Sequence, residues 1–262
     1  MTPGDIDRKL PIWRIISASV PGIRPKKTEQ LCQDAHYWGI LPGGVLVAAV
    51  ADGAGSAALG EVGASIAVHK AVEVICSHQA VTELSKDEQA WIILLSNALE
   101  SAKAAVEVEA TARQVKVREL ATTLILVVAT PEIAVAAQVG DGAAIVGDDQ
   151  GNIVGLTTPQ SGVYVNETTF IISPGGVETA QLKVWHGVTE NIAIFSDGLQ
   201  RLALNFPEGM PHAPFISLLF RFVREATDEV EAKEQLAKFL VSPSVTDETD
   251  DDLTLFLAAL VR

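Results

Sequence analysis

The stretch `LATTLILVVATPEIAVAAQVGDGAAIVGDDQGNIVGL`, residues 120–156, decides the fold. Apolar runs of strand length follow one another, and only short turn signals separate them. Residues 120–129 and 132–141 read as strands joined at Thr130-Pro131. Asp141-Gly142 and Gln150-Gly151 read as hairpin-type turns leading into two more. No segment here is long enough for a helical crossover, so the strands are expected to be antiparallel. Their apolarity is nearly continuous rather than alternating, so both faces must be covered.

The flanks supply the cover. Upstream, `WRIISASV` (13–20) and `VLVAAVA` (45–51) read as strands. From Leu59 the period becomes helical, with Leu59, Val62 and Ile66 beside Ala67, Ala71 and Val74. A second helix is expected to open at Ser85, where Glu88 completes a capping box. It continues along the stripe Trp91, Leu94, Leu95, Ala98, Ala102 and Ala105. Downstream, 157–176 is rich in Thr, Ser, Pro and Gly and reads as a long surface loop. `NIAIFSD` (191–197) is an apolar strand ending on aspartate, 198–240 carries helical patterns, and `DDLTLFLAALV` (251–261) closes the chain as a strand. The expectation is an α+β fold: a four-layer αββα sandwich of two antiparallel sheets flanked by helices, formed as a single domain over residues 1–262.

Composition narrows the function. Hydrophobic residues make up 48% of the 262, but aromatics only 5%, so the core must be built from Ala, Val, Leu and Ile. No apolar run reaches the roughly 18–20 residues that span a bilayer, and `MTPGDIDRKL` lacks a signal-peptide core. Cys32 and Cys76 make neither a disulfide framework nor a zinc site. A cytoplasmic location and a monomer are expected. A net charge of −14 repels nucleic acid and anionic membranes. Any anionic substrate then needs local positive charge, and Arg24, Lys26 and Lys27 form the densest cluster.

Four carboxylates stand at strand ends: Asp52, Asp141, Asp197 and Asp251. Singly, each has a plain reading as a turn residue, a helix cap or part of a solvated face. Jointly they would repel at one rim of the sheets, and burial would raise their pKa values unless a cation compensates. Oxygen-only ligands suit Mg²⁺ or Mn²⁺. The histidines at 36, 69, 78, 186 and 212 have no zinc-ligand spacing, and there is no phosphate-binding loop or GxSxG.

In order, `CQDA` (32–35), `VADGAGSA` (50–57), `ATTL` (121–124), `QVGDGA` (138–143), `NETT` (166–169), `SDGL` (196–199) and `DDLT` (251–254) resemble the metal-dependent protein phosphatase family, type 2C, in its bacterial branch. The resemblance implies hydrolysis of phosphoserine or phosphothreonine in a protein substrate by water activated between two Mn²⁺ or Mg²⁺ ions, opposite a cognate kinase. Carried over by position, Asp52 would bridge the ions, the Gly53 carbonyl would ligate one, and Asp197 and Asp251 would complete the other. Asp34 would act through bound water, and Asp141 would belong to a weaker third site. From their charge and not from the resemblance, Arg24, Lys26 and Lys27 are expected to bind substrate phosphate in place of a family arginine.

Four positions depart from the family pattern. Glu29 replaces a phosphate-binding Arg, Gln33 a Glu, Ala54 a histidine of eukaryotic members, and Arg201 an aspartate of the third site. Arg201 is therefore expected to pair with Asp141. The missing Arg and Glu also leave open a non-catalytic module that binds a kinase or phosphoprotein.

Overall fold

The computed structural model describes residues 12–23, 31–78, 87–160 and 168–261. Three strands, β1 (Ile12–Val20), β2 (Asp34–Leu41) and β3 (Val45–Asp52), precede two helices, α1 (Gly60–Ser77) and α2 (Glu88–Ala112). Next come β4 (Leu124–Ala129), β5 (Ile133–Val139), β6 (Ala143–Asp148) and β7 (Ile153–Gly155), then β8 (Gln181–His186) and β9 (Thr189–Phe195). A short helix α3 (Gln200–Ala203) and a ribbon of β10 (Leu204–Asn205) and β11 (Met210–Pro211) lead into α4 (Ala213–Glu225). The last elements are α5 (Glu229–Leu240), α6 (Pro243–Thr246) and β12 (Leu253–Val261).

Two five-stranded sheets result, ordered β1-β12-β9-β6-β7 and β2-β3-β4-β5-β8, with every neighbouring pair antiparallel. Side-chain period shows how they stack. In β3, Val45, Val47, Ala49 and Ala51 pack on α1 and α2, while Leu46, Ala48 and Val50 face the other sheet. In β12, Leu255, Leu257 and Ala259 pack toward α4 and α5, while Phe256, Ala258 and Leu260 face inward. Both faces of the inner strands of both sheets are buried, as the continuous apolar runs require. The fold is the four-layer αββα sandwich. Its central seam is built partly from small side chains, including Ala48, Ala134, Ala136, Ala144 and Ala258.

Three expectations need correction. The Asp141-Gly142 turn is not a hairpin, because β5 and β6 lie in different sheets and the chain crosses between them there. Gly140 holds a φ of +115°, and a Cβ on Gly142 would stand 2.5 Å from the Phe195 carbonyl oxygen, so only glycine fits this crossing. α2 is capped by Asp87, whose side chain accepts from the Ala90 N–H at 3.1 Å, and Ser85 lies outside the described residues. Within 157–176, Thr157 and Ile171 are buried, so the described shoulders of this loop are packed rather than surface chain.

Candidate metal centre

Asp52 continues the inward-facing series Leu46, Ala48 and Val50, so its carboxylate falls at the rim of the seam between the sheets. Its backbone is clamped on both sides. The Asp52 N–H donates to Thr123 Oγ1 at 2.9 Å, and the Asp52 carbonyl accepts from the Thr123 N–H and Thr122 Oγ1, each at 2.9 Å. This is the structural work of the `ATTL` motif. Gly53 follows in a space where a Cβ would meet the Gly60 carbonyl at 2.4 Å. Its N–H donates to the Gln33 carbonyl, and Gln33 Nε2 donates to the Ala57 carbonyl at 3.1 Å. An amide does here what a glutamate could not: it gives protons to backbone carbonyls and so holds the loop after Asp52. That accounts for one departure from the family pattern.

The sheets bring the other carboxylates to Asp52. Asp34 stands directly opposite it in the β2–β3 register. Asp197 opens the 3₁₀ turn after β9, and Asp141 sits in the crossing between β5 and β6. Ligand oxygens of Asp52, Asp141 and Asp197 all lie within 4.8 Å of one another. Asp141 thus stands in one trio with Asp52 and Asp197. Asp251 lies outside the trio, yet its charge acts on all three members.

Burial is the main cause of the perturbed acidities. It raises Asp52 well above the ordinary carboxylate range, reinforced by the charges of Asp34, Asp197, Asp141 and Asp251. Burial raises Asp197 to about 7, with Asp141 and Asp251 adding to it. Asp34 rises to about 7 for the same first reason, although hydrogen bonds from Ser196 and Thr254 oppose the shift. Asp141 is raised by burial against a hydrogen bond from Thr168, whose hydroxyl donates to Asp141 Oδ2 at 2.6 Å.

The residues fit a hard divalent cation. Asp34 Oδ1, Asp141 Oδ1 and Asp197 Oδ1 are buried without a hydrogen-bond partner among the described residues. Native interiors rarely leave such oxygens unsatisfied, and an ion is one standard reason. Among the described residues, no cationic side chain forms an ion pair with them. Arg201 is exposed and donates to the Glu248 carbonyl at 3.2 Å, so the expected pairing with Asp141 does not form. Arg24, Lys26 and Lys27 lie outside the described residues.

Several contributors carried no signal by themselves in the sequence. Asp252 accepts from the Gly22 N–H at 2.7 Å and the Gln33 N–H at 2.6 Å, stapling the segments before β2 to β12. Ser196 donates to Asp34 Oδ2 at 2.7 Å. Both sit inside motifs quoted above, but only the fold gives them work.

Comparison with known proteins agrees with this geometry. The family model described as protein phosphatase 2C matches residues 22–241. Serine/threonine-protein phosphatase 3 of Escherichia coli (strain K12) is 34% identical over 252 residues, covering 94% of this chain and 98% of that one. Among solved structures, serine/threonine phosphatase Stp1 from Staphylococcus aureus superposes with a TM-score of 0.65 at 16% identity, covering 95% of each chain. The catalytic domain of serine/threonine protein phosphatase PstP, solved with two manganese ions, gives 0.64 at 15% identity over 95% of this chain and 99% of that one. The structural likenesses speak for the fold, and the family model and the E. coli relative speak for descent: the chain belongs to the protein phosphatase 2C family.

Proposed function

We propose that this protein is a metal-dependent serine/threonine protein phosphatase, acting in the cytoplasm as a monomeric single domain. It would use two Mn²⁺ or Mg²⁺ ions to remove phosphoryl groups that a partner kinase has placed on protein substrates. The observation that carries the reading is the buried carboxylate trio at the seam rim, with its oxygens lacking partners. Family membership supports a phosphatase, and the name of the E. coli relative supports the substrate class.

Asp52, Asp141 and Asp197 would hold the cations, with Asp251 and the Gly53 carbonyl as further ligands. Divalent cations in such a site neutralise phosphoryl oxygens and make water a nucleophile near neutral pH. Near the site, neither Cys32 nor His36 is an activated alternative. Burial and the neighbouring carboxylates push the Cys32 thiol up, away from the thiolate. Burial pushes His36 down to about 4, so the imidazole is neutral at physiological pH. Asp34, whose Oδ1 is buried without a partner among the described residues, would accept a proton from an attacking water and orient it.

The test is hydrolysis of an aryl phosphate and a phosphothreonine peptide with and without Mn²⁺. Activity is expected only with metal, and Asp52→Asn should abolish it while leaving the circular dichroism spectrum unchanged. Turnover by Asp52→Asn, or by exhaustively chelated protein, would overturn the proposal.

A further inference from the structure

The seam between the sheets is apolar along most of its length, but its last layer before the rim is not. Ser19 of β1 is paired in register with Thr254 of β12, and their hydroxyl oxygens lie 2.6 Å apart. His36 of β2 brings its Nδ1 to 2.8 Å from Ser19 Oγ. The Thr254 N–H donates to Ser196 Oγ at 3.0 Å, and Ser196 in turn donates to Asp34 Oδ2. Thr254 and Ser196 are buried, and every link crosses from one strand or sheet to another.

We infer that His36, Ser19 and Thr254 are positioning residues: a hydrogen-bonded chain that fixes the Asp34 carboxylate from behind, so that Oδ1 presents to the metal centre. The direction of the chain follows from proton counting. An ionised carboxylate only accepts, and each hydroxyl has a single proton to give. Ser196 therefore gives its proton to Asp34 while accepting from the Thr254 N–H, the Thr254 hydroxyl gives its proton to Ser19 Oγ, and the Ser19–His36 bond closes the chain that holds Thr254 in place. With Oδ2 engaged by Ser196, the carboxylate cannot rotate without breaking this set. Valine and alanine would fill the same layer with no partners to satisfy, whereas a chain with one link missing leaves a buried polar group unpaired. Partners that orient groups around a metal centre commonly govern affinity and turnover by about 10–100-fold.

The inference rests on Asp34 acting at the cation site, and its test separates the two claims. An asparagine amide falls near the position of an imidazole Nδ1, whereas a glutamine amide reaches the position of Nε2. His36→Asn should therefore keep kcat within about threefold of the parent. His36→Gln and Ser19→Ala should lower kcat by about tenfold or more, leave KM for an aryl phosphate within about twofold, and weaken Mn²⁺ binding in calorimetry. Thr254→Ser should behave as the parent and Thr254→Val as Ser19→Ala. Equal behaviour of His36→Asn and His36→Gln, or unchanged Mn²⁺ affinity in Ser19→Ala and Thr254→Val, overturns the chain. Calorimetry with Mn²⁺ alone reads these variants even if no phosphorylated substrate is turned over, which would count against the proposed activity and not against the chain.

Discussion

Asp52, Asp34 and Asp197 are each costly to ionise in the metal-free protein, and the cost has a measurable direction. Unfolded, they titrate near 3.8; folded, Asp34 and Asp197 titrate near 7 and Asp52 is raised as well. The folded state holds these protons more tightly, so the stability they contribute is complete below about pH 4 and is lost as pH rises through 7. Metal-free protein should therefore lose thermal stability across that window. Asp52→Asn should flatten the slope and raise stability at pH 7.5 by about 1–3 kcal/mol, roughly 2–10 °C in Tm. Saturating Mn²⁺ should reverse the slope, because ligation requires the deprotonated forms. Scanning calorimetry from pH 5 to 8 with and without metal checks this. A metal-free Tm that climbs between pH 5 and 7 equally in both proteins would contradict it.

Among the elements, those legible in sequence are the ones buried on both faces. β3, β4, β5, β9 and β12 announce themselves through unbroken Val, Leu, Ile and Ala, because every residue of their runs packs on something. β2 and β8 are the two edges of the second sheet. Tyr37, Trp38 and Ile40 of β2 are exposed, and β8 is nowhere fully buried, so neither has a period strong enough to read. The Asp141-Gly142 signal is local and identical for a hairpin and for a crossing between sheets; only the pairing partners of β5 and β6 tell them apart. The site was legible to the same degree. Its aspartates mark strand ends, but Ser19, Thr254 and Ser196 meet only through register across three strands.

The crossing itself hangs on Gln138, which is fully buried. Its Nε2 donates to the carbonyls of Gly140, Gly142 and Thr158, and its Oε1 accepts from the Thr157 hydroxyl. Gln138→Leu would leave the Gly142 carbonyl and the Thr157 hydroxyl proton without their partners, while Gly140 and Thr158 keep donors in Gln160 and Gln181. Chemical denaturation should show a loss of about 2–4 kcal/mol, and Mn²⁺ affinity should fall because Asp141 rides on the loosened turn. Unchanged affinity in a destabilised variant would show that the turn keeps its shape without the amide.

At the scale of the whole molecule, the trio draws its members from both sheets: Asp52 ends a strand of one, Asp197 follows a strand of the other, and Asp141 lies on the crossing between them. The gap they span is therefore set by how closely the sheets approach. Ala48, Ala134, Ala136, Ala144 and Ala258 work as a caliper, and what the caliper measures is ionic radius. Mg²⁺ takes oxygens at about 2.0–2.1 Å and Ca²⁺ at about 2.3–2.6 Å. Thickening the seam with Ala144→Val should cost about 1–3 kcal/mol in overpacking and tilt the competition between Mg²⁺ and Ca²⁺ toward the larger ion. Paired titrations of parent and variant would read that tilt directly. A wedge of two carbons on a residue outside the ligand set would then have changed which element the protein prefers.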